Sequence, residues 1–164
     1  MLVLRYLYAV ALVLWLGGTL VAGAIVAPAT FEVLQAWDPA VGRMLAGQLF
    51  GDILARLHVL GYAAGGVMMV SLTVQRLVGP RPVAYGIRAA LTGVMLALFG
   101  YSGWLVLPRV QALQREIGGP VNALPADDTR RVEFDALHER STQLVTAASV
   151  VGLVLLVWEA RERQ

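Results

Sequence analysis

Cysteine is absent from these 164 residues, and so is lysine, so that all 13 basic residues are arginine. Without a sulfur nucleophile or ligand there can be no disulfide, zinc–thiolate site, iron–sulfur cluster or thiol relay. Without a lysine amine there is no Schiff-base chemistry and no Walker-type phosphate loop. Charge is scarce too, at 15% of residues, where a soluble domain carries about 25%. Histidine occurs only twice, at His58 and His138. What fills the chain instead is apolar: 58% of it is hydrophobic, the composition of a membrane protein. A hydrocarbon core of about 30 Å takes about 20 apolar residues per crossing, so there is room for four crossings and none for a large transporter fold.

Four apolar stretches stand out, at Tyr6–Pro28, Ile53–Leu77, Ala84–Leu107 and Thr142–Trp158. Lipid cannot satisfy open strand edges, and the stretches lack the alternation of a barrel, so they are helices. The expected fold is all-α: a single transmembrane domain over residues 1–164, an integral membrane antiparallel four-helix bundle with short amphipathic extensions in the two outer loops. Arg5 followed by an apolar run and Ala27-Pro28-Ala29 imitates a secretory signal, but the run exceeds 20 residues and reads as an uncleaved span. Six arginines (Arg5, Arg76, Arg81, Arg88, Arg161, Arg163) lie at the termini and the short second connection. The other seven lie in or next to the two long connections, mixed with most of the acids. Arginine density near the helix ends therefore puts both termini in the cytoplasm.

The long connections carry their own signals. Asp38 with Pro39 starts a short interfacial helix that runs into the second span. Val110–Ile117 extends the third span until Gly118-Gly119-Pro120 stops it, and Asp127 or Asp128 caps a further helix leading into the fourth. No tandem repeat or low-complexity tract stands out.

Helices in lipid associate through small residues and a few polar contacts. Stripes of that kind occur on every span: Ala11, Trp15, Gly18, Ala22, Ile25 and Ala29 on the first; Gly61 and Gly65 behind His58 on the second; Gly86, Ala90, Gly93, Ala97 and Gly100 on the third; Ser141, Val145, Ser149 and Gly152 on the fourth. Gly18, Gly61, Gly65, Gly93, Gly100 and Gly152 are thus read as packing glycines.

Both histidines fall toward the outer side, with Asp52, Arg56, Asp135 and Arg109 near them in the sequence pattern. Ionisable groups at membrane depth are functional candidates because burying them unpartnered is costly. The candidate ligand-binding cluster is therefore His58, His138, Arg56, Asp52, Asp135 and Arg109, and the leading function is a non-enzymatic ligand-binding, accessory or transport-linked one. The alternative is a redox membrane protein or haem-pathway oxidase that binds haem b through His58 and His138; histidines with carboxylates also suit a divalent metal. No ligand-spacing motif selects either cofactor. Gly100-Tyr101-Ser102-Gly103 matches the Gly-x-Ser-Gly of intramembrane serine proteases, but those have six helices, and Ser102 reads as a packing residue. A net charge of +2 with no basic run gives no nucleic-acid footprint. The expected partners are membrane lipids and a second copy or a larger membrane complex.

Leu14-Trp15-Leu16-Gly17-Gly18, Ala27-Pro28-Ala29-Thr30-Phe31, Leu49-Phe50-Gly51, Pro108-Arg109 leading into Leu113-Gln114-Arg115-Glu116, and Phe134-Asp135-Ala136-Leu137-His138 with Ser141 succeed one another along the chain. In these the sequence resembles the transmembrane protein 205-like family, known in bacteria as a domain of unknown function (number 4149). The resemblance implies a four-span protein of the bacterial inner membrane in which the positions of His58, His138, Pro108 and Arg109 recur, and it implies no established reaction. The chain departs from the family pattern at Glu139, where a glycine is expected, and at Val145, where an asparagine is expected.

Overall fold

A computed structural model describes residues 2–39, 41–79 and 84–161. Arg81 and Arg163, on which the topology reading partly rests, lie outside the described residues, as does the side chain of Arg161. Among the described residues four helices are long and apolar enough to cross a membrane. They are α1 (Leu2–Trp37), α2 (Val41–Val78), α3 (Tyr85–Ile117) and α4 (Thr129–Arg161). With 33 to 38 residues each, they measure about 50–57 Å at 1.5 Å per residue, against about 30 Å of hydrocarbon. Each therefore overruns its apolar stretch, and the interfacial extensions are continuous with the spans.

Local chemistry explains where the helices start, bend and stop. Asp38 Oδ1 accepts from the Val41 N–H at 2.9 Å and caps α2. Gly42 comes next because a Cβ there would overlap the Leu34 carbonyl, so the tight α1–α2 turn admits only glycine. Gly118, at φ +64°, ends α3 in the left-handed conformation and donates its N–H to Gln114. Asp128 Oδ1 accepts from the Arg130 N–H at 2.8 Å and caps α4. Inside α1 and α3 a proline does not break the helix. A proline lacks the N–H and clashes with the carbonyl four residues back; here the preceding turn widens into a π turn, Ala22–Val26 before Pro28 and Ser102–Val106 before Pro108. The Ala27 N–H reaches Ala22 O, and the Leu107 N–H reaches Ser102 O. One extra residue in the turn rotates the remainder of the helix by about 100°. That is why Ala11, Trp15 and Ala22 of the small-residue stripe of α1 are buried, while Ile25 and Ala29 turn outward.

The helices form a ring in which α1 touches α2, α2 touches α3, α3 touches α4 and α4 returns to α1. Trp15 and Phe99 meet edge to face across the centre, centroids 4.9 Å apart, with Leu12, Met68, Leu72, Met95 and Leu155 sealed around them. Gly61 and Gly65 admit Phe99, Leu96 and Trp15, Gly18 admits Leu57, and Gly152 admits Leu16 and Met95. Two of the expected packing glycines do otherwise. Nothing approaches Gly93, and Gly100 meets only Trp104 of its own helix. The inward face of α3 is Arg88, Thr92, Met95 and Phe99, so the small ridge from Gly86 to Ala97 faces away from the bundle.

The two proline-associated π turns sit at matching distances along the chain. The two π turns begin 80 residues apart, at Ala22 and Ser102. Gly23 and Gly103, Val26 and Val106, Pro28 and Pro108, Leu57 and Leu137, and His58 and His138 share that 80-residue offset. Helices α1 and α3 run in one direction and α2 and α4 in the other.

Candidate functional site

At the end of the bundle that carries the long connections, the helices part around a cavity of about 170 Å³. Leu54 and Leu107 form its floor, and Phe31, Phe50, Val110 and Phe134 its apolar walls. Arg43, Gln114, Asn122, Asp135, His138 and Ser141 supply the polar part, and Gly119-Pro120-Val121 closes over one side. Small-molecule pockets run about 300–1,000 Å³, and a water occupies about 30 Å³. At about 170 Å³ this cavity lies below that range and suits one polar head with a short apolar segment.

Of the six residues expected to cluster, Asp135 and His138 line the cavity. The His138 ring stacks on Phe134 at 6.3 Å with an interplanar angle of 6°. Asp52 and Arg56 are exposed and lie outside the cavity lining, because the buried face of α2 runs through Leu54, Leu57, His58 and Gly61. Arg109 also lies outside: its guanidinium grips Glu133 with two hydrogen bonds of 2.6 and 2.8 Å, tying α3 to the start of α4. His58 sits below the floor, 3% exposed, with Nδ1 2.7 Å from Leu54 O. Its ring packs against Phe99 and Tyr62, and the Tyr62 hydroxyl donates to Phe99 O at 3.1 Å. A Cβ on Gly103 would overlap the Tyr62 hydroxyl and stand 2.7 Å from His58 Cδ2, so this contact depends on glycine.

The two histidines thus do not face one cavity, as a bis-histidine haem site requires. Among the described residues no three of His, Asp and Glu come together to hold a metal ion. Nor does Ser102 meet His138: Ser102 is buried beside Phe99, and His138 opens on the cavity. Asp135, His138 and Ser141 share a stripe of α4, yet no hydrogen bond joins His138 to either, so no base is poised on a nucleophile. Arg43, Gln114 and Asn122 were missed by sequence reasoning. Arg43 is the one charge on the short segment after Asp38, and that isolation was the available signal.

A second polar group lies at the opposite end, where α1 begins and α4 finishes. Arg88 and Glu159, each 5% exposed, form a side-chain ion pair between α3 and α4. The Arg88 guanidinium also lies 4.4 Å from the centroid of the Tyr8 ring, and Thr92 donates to Arg88 O. Arg88 reads in the sequence as a topology-setting loop arginine, whereas in the fold it is an inward structural cation. Leu12, Met68 and Met95, each at most 1% exposed, separate this group from the cavity end.

Four apolar helices with polar groups confined to the two ends and the interior define a multi-pass membrane protein of the helical-bundle class. The family model described as "Domain of unknown function (DUF4149)" matches residues 10–118, and the chain belongs to that family. The matched region covers α1 from Val10, with α2 and α3, His58 and ten of the eighteen residues that line the cavity, and ends before Asn122, Asp135 and His138. No curated protein and no solved structure matches the chain.

Proposed function

We propose that this chain is a non-enzymatic membrane protein that holds the polar end of an amphiphilic small molecule in the cavity at its loop end. The supporting observation is the lining: aromatic and aliphatic walls converge with one guanidinium, one carboxylate, one imidazole and two amides on a single concave space. That set offers donors and acceptors of both charges, so it suits a polar head with both characters and does not select a bare anion or cation. The likeness to the transmembrane protein 205-like family is compatible with such an accessory or transport-linked role and supplies no reaction. The family resemblance supports a setting in a bacterial inner membrane, and the arginine pattern supports both termini being cytoplasmic and the cavity facing outward. The outward ridge of α3 and the exposed apolar face of α4 are read as lipid contacts. The test is native mass spectrometry of the protein extracted with its own membrane lipid. The wild type should carry a discrete bound mass that Asp135→Asn with His138→Ala loses while helix content stays the same. A bound mass unchanged in that variant would overturn the reading.

A further inference from the structure

Away from the loop end, α4 lies against α1: Gly152 admits Leu16, and the face of α4 made by Ala148, Gly152, Leu155 and Glu159 is buried. Toward the loop end the same face continues, at steps of three and four residues, as Val145, Ser141, His138 and Phe134. None of these four is buried, and Ala148 is the first buried residue of α4 counted from Thr129. The loop-end part of α1, Ala27–Trp37, likewise holds no buried residue. It packs on α2, whereas α4 packs on Leu2–Val21 of α1, and among the described residues no comparable packing joins Ala27–Trp37 to α4. The two helices therefore part at the π turn Ala22–Val26. What stands between them beyond it is the cavity, which Phe31 borders from α1 and Phe134, His138 and Ser141 border from α4.

The chemistry of the parting changes with depth. The cavity carries polar groups, Arg43, Asp135 and His138 among them. Beneath it, every residue of α1 from Ala22 to Ala29 is apolar or glycine, and the face of α4 offers Val145 and then Ala148. Phe31 and Ser141 lie just beyond the apolar stretches that end at Pro28 and begin at Thr142. The cavity is thus at headgroup depth, and the apolar cleft below it is at the depth of the hydrocarbon. Water finds no hydrogen-bond partner on such side chains, and a wholly water-soluble ligand would leave the cleft empty. A polar head with a hydrocarbon chain fits both levels.

We propose that the parting of α1 and α4 is a lateral opening of the cavity into the leaflet at the loop end, and that the occupant is a bilayer lipid whose head enters the cavity while its chain stays in the membrane. The identity of the occupant rests on the proposed function; the opening does not. The experiment uses the lack of cysteine. A nitroxide is placed on Val145→Cys in the full chain in phosphatidylcholine bilayers, and power saturation compares its collisions with oxygen, which partitions into lipid, and with a water-soluble nickel chelate. Val150→Cys, at a position 54% exposed on a different face of α4, gives the lipid reference, and Asp127→Cys gives the water reference. The label at Val145 should collide with oxygen nearly as often as the one at Val150 and severalfold less with nickel than the one at Asp127. The same label on Ala148→Cys, where α4 is packed, should be shielded from both reagents. A Val145 label shielded from both shows α1 covering the face, and one that collides mainly with nickel shows a water-filled cleft; either overturns the proposal. Oxygen collision as frequent at Ala148 as at Val145 places no opening at the loop end and overturns it too. These readings need no bound lipid, so an open Val145 without a bound mass keeps the opening and overturns the proposed function, and with it the occupant.

Discussion

The ion pair between Arg88 and Glu159 makes the sharpest energetic prediction. Each residue is 5% exposed, so neither charge can recover its solvation by a small movement. Glu159→Gln preserves volume but removes the carboxylate charge that this buried guanidinium, 4.4 Å from the Tyr8 ring centroid, pairs with. Removing one member of a buried pair costs about 3–5 kcal/mol because the survivor stays buried. At about 1.4 kcal/mol per tenfold, that is roughly a 10²-fold to several-thousand-fold loss in the folded-to-unfolded ratio. Replacing both residues with methionine removes the desolvation penalty with the attraction, so Arg88→Met with Glu159→Met should lie within about 1 kcal/mol of wild type or above it. The assay is a double-mutant cycle of Arg88→Met, Glu159→Met and the two together, with Glu159→Gln beside it, read by circular dichroism during denaturation in mixed micelles. The expected coupling is a double variant far more stable than the sum of the single costs. Single changes costing under about 1 kcal/mol, with an additive double variant, would refute the claim that the charges are buried and mutually dependent.

Other perturbations test separate contacts. Gly42→Ala drives a Cβ into the Leu34 carbonyl and should cost at least about 1–3 kcal/mol, whereas Gly93→Ala, with nothing near it, should be neutral or stabilising by up to about 1 kcal/mol; thermal unfolding compares the two. The hydrogen bond from the Arg130 side chain, with that from its backbone, holds the Asp128 carboxyl at about 2, against an ordinary 3.8. A depressed carboxylate stabilises fully above the ordinary value, so the α4 cap should persist above about pH 4 and be lost as pH falls through about 2. The carboxyl signal of Asp128 should titrate near 2 in wild type and move toward 3.8 in Arg130→Gln. Because the chain has no cysteine, single cysteines report sidedness directly. In intact cells an impermeant maleimide should label Asp127→Cys, and it should reach Arg5→Cys only after lysis.

The helices were legible because their signals are local: apolar length, aspartate caps at Asp38 and Asp128, and glycine with proline after Ile117. Orientation within the bundle was less so. On α3 a ridge of glycine and alanine alternates with a stripe of Arg88, Thr92, Met95 and Phe99, and small size suggests the inner face only when no bulkier stripe competes for it. Periodicity drawn through Ile25 failed because the π turn before Pro28 adds a residue that a 3.6-residue repeat does not count. Asp135 and His138 could be placed at the cavity because they share a face of one helix. Arg43 and Asn122 could not, since only the folding-back of both long connections brings them there. Arg109 was drawn to the wrong group because its partner Glu133 lies 24 residues away. The two π turns were not legible because nothing in the local sequence before Pro28 or Pro108 separates a widened turn from an ordinary α-helical one.

The claim that the loop-end cavity holds a ligand is tested most directly by equilibrium titration with a fluorescent fatty alcohol in detergent. Gly51, on the cavity wall with only Gln111 Nε2 at 4.0 Å, is the place to fill it. Wild type should bind one probe saturably, and Gly51→Phe should weaken binding at least tenfold while leaving the helical spectrum and the melting of the bundle unchanged. Equal affinity in the two proteins, or non-saturable partitioning in both, would contradict the account.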